Sequence, residues 1–320
     1  MYKVLIIGLG NIGMDYDLYH NPSHYILSHA RAFDVHEQYE IVAGVDSNRQ
    51  QCELFSSHYG YEAFTNLDEA LINIKPDIIV IATPTELHYS IINKLLKQVD
   101  PKAILCEKPI SYNIDEAQKI VAKCKSQDCA LFVNYMRRSD IGVAEIVKRF
   151  QDNRIKGPIK GIVYYSKGMY NSASHFVNLL QLLFGKVKEV QLHSSGRLWD
   201  GLDPEPDFEI IFESAKIQFL ALNAENFFHN SMELIASNGR LRYEQGGQYI
   251  LWDRINGSNT FSNYITLAEH SESLVSDFLR IQYHVVEQMA KNLVGQSSNI
   301  CSGDEALSTL KVMAKIKELL

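Results

Sequence analysis

Residues 4–13 read Val4-Leu5-Ile6-Ile7-Gly8-Leu9-Gly10-Asn11-Ile12-Gly13, an aliphatic run closing on G-x-G-x-x-G. In this pattern the first glycine permits a tight turn. The second lets a pyrophosphate approach the backbone, and the third allows close packing of strand and helix. The N–H groups at the start of the following helix then face the phosphates. Gly8, Gly10, Asn11, Ile12 and Gly13 are therefore candidate cofactor-binding residues. A glycine turn in a non-binding domain is the competing reading, and the position directly after a first strand weighs against it.

Four more aliphatic runs follow, at Ile41–Val45, Ile78–Ala82, Ala103–Cys106 and Leu131–Val133. Continuous apolar runs are what a parallel sheet covered on both faces requires. Helical spacing separates them. Leu87, Ile91, Ile92, Leu95 and Leu96 form one stripe; Ile114, Ala117, Ile120, Val121 and Cys124 form another, with Asn113 and Glu116 as a capping pair. The pattern predicts a doubly wound parallel α/β sheet. The second half differs: six strand-like stretches between Ile159 and Trp252 surround one apolar helix, Ser174–Phe184. That pattern predicts an α/β domain with an open mixed or antiparallel sheet. The expected division is residues 1–125 for dinucleotide binding and 126–320 for substrate binding and oligomerisation, with a last helix over Asp304–Leu320.

Asp46 closes the second strand, where a carboxylate binds the adenosine ribose. It lies 33 residues past Gly13, against about 20 in the usual motif. Asp15–Ser23 is polar, aromatic and broken by Pro22, so it reads as a loop inserted between the glycines and most of their helix. A carboxylate at 46 repels a 2′-phosphate, which favours NAD over NADP; Arg49 nearby partly offsets this. Asp15, Asp17, His20 and His24 are metal-ligand types, but their spacing matches no metal rule, so no metal site is expected. Tyr16, Tyr19 and Tyr25 are read as substrate-wall residues, Trp199 and Trp252 as core or interface residues.

Composition sets the outer limits. The 320 residues suit two domains, and the formal net charge of −7 argues against nucleic acid as partner. Five cysteines without a C-x-x-C pair suggest reduced thiols and a cytoplasmic protein. No apolar stretch approaches the ~20 residues of a membrane span, and the N-terminus shows no cleavable signal.

Three stretches follow later strands, where carboxyl ends face the ligand crevice. Thr83, Pro84 and His88 follow the third strand, Glu107-Lys108-Pro109 the fourth, and Asn134-Tyr135-Met136-Arg137-Arg138 the fifth. A lysine there can hydrogen-bond a reacting oxygen and move its proton. By composition alone Lys108 is a solvated lysine and the arginines are ion-pairing groups.

Together with GLGNIG and Asp46, these stretches resemble the Gfo/Idh/MocA oxidoreductase family. The Glu107-Lys108-Pro109 motif is the most specific part, and the likeness is sharp over residues 1–140. The resemblance implies a nicotinamide cofactor, a sugar, cyclitol or nucleotide-sugar substrate, and a homodimer or homotetramer built through the C-terminal sheet. It makes Lys108 the chief catalytic group, places Thr83, Pro84, His88, Glu107 and Arg49 at the cofactor, and Asn134, Arg137, Arg138 and Asn178 at the substrate. The family's D-x-G-x-H-x-x-D signature has its nearest counterpart at 171–178. His175 keeps the acid/base histidine, while Asn171 and Asn178 replace both aspartates and Ala173 the glycine. Asn171 can still orient the ring but supplies no charge. The implied activity is hydride transfer between nicotinamide and a secondary alcohol or ketone. Two other readings are a non-catalytic dinucleotide-binding sensor and a reductase of an imine or linear tetrapyrrole.

Overall fold

The first apolar run becomes β1 (Tyr2–Ile7), an inner strand of a sheet whose pairings are all parallel. It is joined by β2 (Tyr39–Val45), β3 (Ala63–Phe64), β4 (Ile78–Ile81), β5 (Ala103–Cys106) and β6 (Ala130–Val133), in the order β3-β2-β1-β4-β5-β6. The order reverses between β1 and β4, the kind of switch point at which doubly wound sheets bind ligands. Every residue of β4 and β5 is buried, as layers on both faces require. The two-residue β3 escaped the sequence reading because it is too short to carry a pattern. The computed structural model describes residues 1–258 and 263–320.

The helices of this unit are α1 (His29–Asp34), α2 (Arg49–Tyr59), α3 (Leu67–Asn73), α4 (Thr85–Gln98) and α5 (Ile114–Ser126). At α5 the Asn113 side chain accepts the N–H groups of Asp115 and Glu116 at 2.8 and 3.3 Å. The return half of the expected capping pair is redirected: the Glu116 carboxylate accepts from the Ser111 hydroxyl at 2.7 Å. The expected stripe on α5 is buried at Ala117, Ile120, Val121 and Cys124. On α4 the stripe is rotated. His88, Ile92, Leu95 and Leu96 point inward, and Leu87 is exposed.

The expected boundary at 125/126 is corrected. The first unit comprises Met1–Ser139 and Leu279–Ser308, the second Asp140–Phe278 and Thr309–Leu320. β6 is the last parallel strand of the first sheet, so the chain cannot leave before it. The Asp140 carboxylate then starts α6 (Ile141–Gln151) by accepting from Gly142 N–H at 2.8 Å, and also takes Asp277 N–H at 3.0 Å.

In the second unit α6 and α7 (Ser174–Phe184) accompany β7 (Ile159–Tyr165), β8 (Glu189–Trp199), β9 (Asp203–Ile211), β10 (Ala215–Ala221), β11 (Ser231–Ala236), β12 (Gly239–Glu244), β13 (Tyr249–Gly257), β14 (Ile265–Leu267) and β15 (Glu272–Leu274). The order is β14-β13-β12-β11-β7-β10-β9-β8, with β15 on β13. The β7–β10 pair is parallel and the rest are antiparallel, so the sheet is mixed. Alternation in β10 and β12 gives this sheet one face for a core with α6 and α7. The chain ends with α8 (Ile281–Leu293), which joins the first core, and α9 (Gly303–Glu318). Among the described residues no helix is long and apolar enough to cross a membrane.

Candidate functional site

The three glycines of the loop have three different surroundings. A Cβ on Gly8, whose φ is +95°, would meet the Ala82 backbone at 2.6 Å. One on Gly13 would meet the Gly8 carbonyl oxygen at 2.0 Å. One on Gly10 would meet nothing within 4 Å. The outer two therefore pack the turn, and the middle one opens onto space that a pyrophosphate can enter.

The inserted loop is resolved in detail. Gly10 accepts the N–H of Met14 at 2.8 Å, which begins a helical turn. Ile12 and Gly13 then accept the N–H groups of His29 and Ala30, at 2.9 and 2.8 Å. In a continuous helix those donors would be residues 16 and 17. The offset from 16 to 29 is 13 residues, which is the surplus in the Gly13-to-Asp46 spacing over about 20. The loop is thus spliced into an otherwise regular helix. Asp17, wholly buried, closes it: its carboxylate accepts from Leu27 N–H at 2.5 Å, Ser28 N–H at 3.1 Å and the Ser28 hydroxyl at 2.5 Å. Tyr16 and Tyr19 are exposed.

Asp46 spends one lone pair of each oxygen on the backbone: Oδ2 accepts Leu9 N–H at 2.7 Å and Oδ1 accepts Asn48 N–H at 2.8 Å. Each oxygen retains acceptor capacity for a ribose hydroxyl. Asp46 lines a cleft of about 450 Å³ with Gly8, Gly10, Thr83, Pro84 and the outward-turned Leu87. Thr83 Oγ1 is buried there without a hydrogen-bond partner among the described residues. An open glycine and an unpaired hydroxyl in one cleft fit a dinucleotide. Arg49 lies outside it. Its side chain is 84% exposed and pairs with Glu53 at 3.0 Å along α2; a solvated i,i+4 pair satisfies it locally.

His88 is also outside the cleft. Nε2 faces the Thr83 carbonyl at 3.0 Å, while Nδ1 lies 3.3 Å from the Ile110 carbonyl and 3.4 Å from the Cys106 thiol. Burial holds this imidazole below its usual range. His88 shapes the Thr83-Pro84 loop from behind.

Glu107 and Asn134, expected at cofactor and substrate, meet in one network, the first half-buried and the second buried. Glu107 Oε1 lies 2.8 Å from His29 Nε2 and accepts from Asn134 Nδ2 at 2.6 Å. Oε2 accepts Lys108 N–H at 3.3 Å. Burial pushes the Glu107 carboxyl up, and His29, Asn134 and Lys108 outweigh it, holding the group below the ordinary carboxylate range. An ionised glutamate thus underlies Lys108 at the carboxyl end of β5. Arg137 is buried. Arg138 is committed to structure: it donates to the Asn299 carbonyl at 3.0 Å and to Glu305 at 2.6 Å.

In the second unit His175 and Asn178 are buried near the start of α7. Asn178 Nδ2 donates to Thr309 Oγ1 at 2.9 Å, and Thr309 donates on to Gln181 at 2.7 Å, so its amide serves packing within this unit. Asn171 Nδ2 donates to the Lys167 carbonyl at 3.1 Å. Two buried or half-buried acids from β9 were missed. Asp203 accepts the N–H groups of Tyr170 and Asn171, both at 2.9 Å. Glu205 accepts those of Lys167 and Gly168 at 2.9 and 3.1 Å. A Cβ on Gly168, at φ +85°, would strike Asp203 Oδ2 at 2.2 Å. Thus the turn before His175, which lacks its own acid at 171, is held by carboxylates from another strand. Four acids at alternate positions of one strand, Asp203, Glu205, Asp207 and Glu209, were the available signal.

Comparison with known proteins follows this division. Residues 2–135 match an oxidoreductase family described by its NAD-binding Rossmann fold. The inositol 2-dehydrogenase of Rhizobium meliloti (strain 1021) is 30% identical over 128 residues, 40% of this chain and 38% of that protein. The glucose-6-phosphate 3-dehydrogenase of Bacillus subtilis (strain 168) is 30% identical over 145 residues, 45% of this chain and 37% of that protein. The matches thus span less than two fifths of either relative. In fold, the WlbA dehydrogenase of Bordetella pertussis, solved with NADH and UDP-GlcNAcA, superposes with a TM-score of 0.74 at 17% identity, covering 99% of this chain and 95% of that one.

Proposed function

We propose that the chain, whose residues 2–135 match an oxidoreductase family with an NAD-binding Rossmann fold, is a nicotinamide-dependent dehydrogenase or reductase of the Gfo/Idh/MocA kind, acting on a carbohydrate-like secondary alcohol or ketone. The observation that carries this is Lys108, set beside a half-buried Glu107 held below the ordinary carboxylate range, two strands from the open glycine loop. A sensor has no evident need for such a lysine. Relatives named for inositol and glucose 6-phosphate, and a fold neighbour solved with a nucleotide sugar, support a sugar, cyclitol or nucleotide-sugar substrate.

The cleft residues Gly10, Asp46 and Thr83 would hold the dinucleotide. NAD is favoured, because Asp46 would face a 2′-phosphate and Arg49 is engaged with Glu53. Bound nicotinamide supplies the acceptor or donor of hydride. This chain handles the proton: Lys108 Nζ hydrogen-bonds the reacting oxygen, and His175 is the acid/base candidate of the second unit. Asn171 and the Asp203-braced turn orient His175. Self-association through the second unit's sheet belongs to the same reading.

Titration of the purified protein with NADH and NADPH, followed by a sugar and nucleotide-sugar screen, tests this. NADH should bind more tightly. Lys108→Ala should lower turnover by about 10²–10⁴-fold with NADH affinity retained. A Lys108→Ala protein with unchanged turnover would remove Lys108 from the chemistry, and binding of neither nucleotide would remove the cofactor.

A further inference from the structure

We propose that His29 is a positioning residue for Lys108, and that the thirteen-residue insertion is what delivers it. The proposal rests on the reading of Lys108 as the catalytic lysine and concerns how its loop is held.

The backbone argument comes first. The splice puts His29, not residue 16, on the Ile12 carbonyl, so its side chain projects from the second turn of the glycine-loop helix. Asp17 fixes that register by gripping Leu27 and Ser28. Ser28 Oγ caps α1 by accepting Arg31 N–H at 3.3 Å. The imidazole that follows is wholly buried. Its Nε2 lies 2.8 Å from Glu107 Oε1, and its Nδ1 has no hydrogen-bond partner among the described residues. The ring's polar interaction is therefore spent on Glu107.

Glu107 is a two-ended clamp. One oxygen takes His29 and Asn134; the other takes the backbone N–H of Lys108. Asn134 is further held by Gln282 of α8 at 3.3 Å. Glycine-loop helix, β6 and α8 thus converge on the carboxylate beneath the lysine. The titratable groups that face Glu107 are His29 from α1, Lys108 and Cys106 from its own strand end, and His88 from α4. Burial opposes its charge, and His29 is the first of the groups that offset burial. Without His29 the carboxyl shifts upward. Once protonated it no longer presents two acceptor oxygens, and the Lys108 loop loses its anchor.

The test compares His29→Leu with His29→Gln, whose amide nitrogen can reach the same oxygen. In His29→Leu the acid limb of the kcat/KM profile should move up by about one pH unit, and kcat should fall about 10- to 100-fold. His29→Gln should keep the wild-type profile. NADH affinity should stay within about twofold in both, since neither removes a cleft residue. A folded His29→Leu protein with the wild-type profile overturns the proposal, as does a His29→Gln protein that behaves like it. Should His29→Leu not fold, His29→Asn, whose amide stops short of Glu107, takes its place with the same expectations. A melting cycle of His29→Leu, Glu107→Gln and the double variant at pH 7 needs no substrate. It separates this proposal from the catalytic reading if no alcohol is turned over. Strongly non-additive losses support the pair; additive losses overturn it.

Discussion

Arg138 and Glu305 make an ion pair with unequal ends: the arginine side chain is 3% exposed and the glutamate 45%. Burial pushes the Glu305 carboxyl up, but Arg138 and Ser302 more than offset this and hold it below its usual range. A carboxyl depressed on folding adds stability above its unfolded pKa, about 4.3, and loses it as pH falls through the folded value. Arg138→Met should therefore cost about 2 kcal/mol at neutral pH, and its gap to wild type in thermal melts should narrow below about pH 4. A variant with normal melting and a raised KM would instead return Arg138 to the substrate. Lys108 and the glycines were legible because local motif and strand end define their place. Arg138 was not, because its partner lies 167 positions away.

At the scale of elements, the insertion shows what spacing can and cannot convey. The surplus between Gly13 and Asp46 located the loop, but the loop's polarity suggested a solvated excursion. In the structure Leu18 and Ile26 enter the first core and Asp17 is buried with three donors on its carboxylate. Asp17→Ala should strand those donors and destabilise the protein by about 3–5 kcal/mol. Amide exchange at Leu27 and Ser28 should rise first, ahead of β4 and β5; uniform exchange across the unit would argue against a local clasp. The α4 stripe teaches the complementary point. Period alone placed Leu87 inside, yet His88 is held inward by the Thr83 and Ile110 carbonyls and the Cys106 thiol. Leu87 is left to the cleft. A polar residue with three partners displaced an apolar one, which periodicity cannot register.

The whole molecule is interleaved along the chain. α8 places Val285, Val286, Met289 and Ala290 in the core of the first unit, far in sequence from its strands. A fragment of residues 1–139 should therefore lack a cooperative melt by circular dichroism, and rejoining residues 279–308 through a flexible linker should restore it. Burial of four side chains of this kind is worth several kcal/mol, at about 25 cal/mol per Å², a large part of a domain's net stability. A stable, cooperative 1–139 fragment would show that α8 is dispensable.

By itself the sequence determined the parallel sheet, the glycine loop and the place of the insertion, and it singled out Asp46 and Lys108 as candidates. These follow from periodicity, turn chemistry and strand ends, all set within a few residues. Only the tertiary structure decided that His29 and Asn134 meet Glu107, that His88 faces the Thr83 carbonyl, that Arg138 pairs with Glu305 and that Asp203 accepts from the Asn171 N–H. Each of those outcomes depends on which donor meets which acceptor across long stretches of chain. Polar side chains carry no address in sequence, and their partners are chosen when the apolar layers close and leave each buried group to find one.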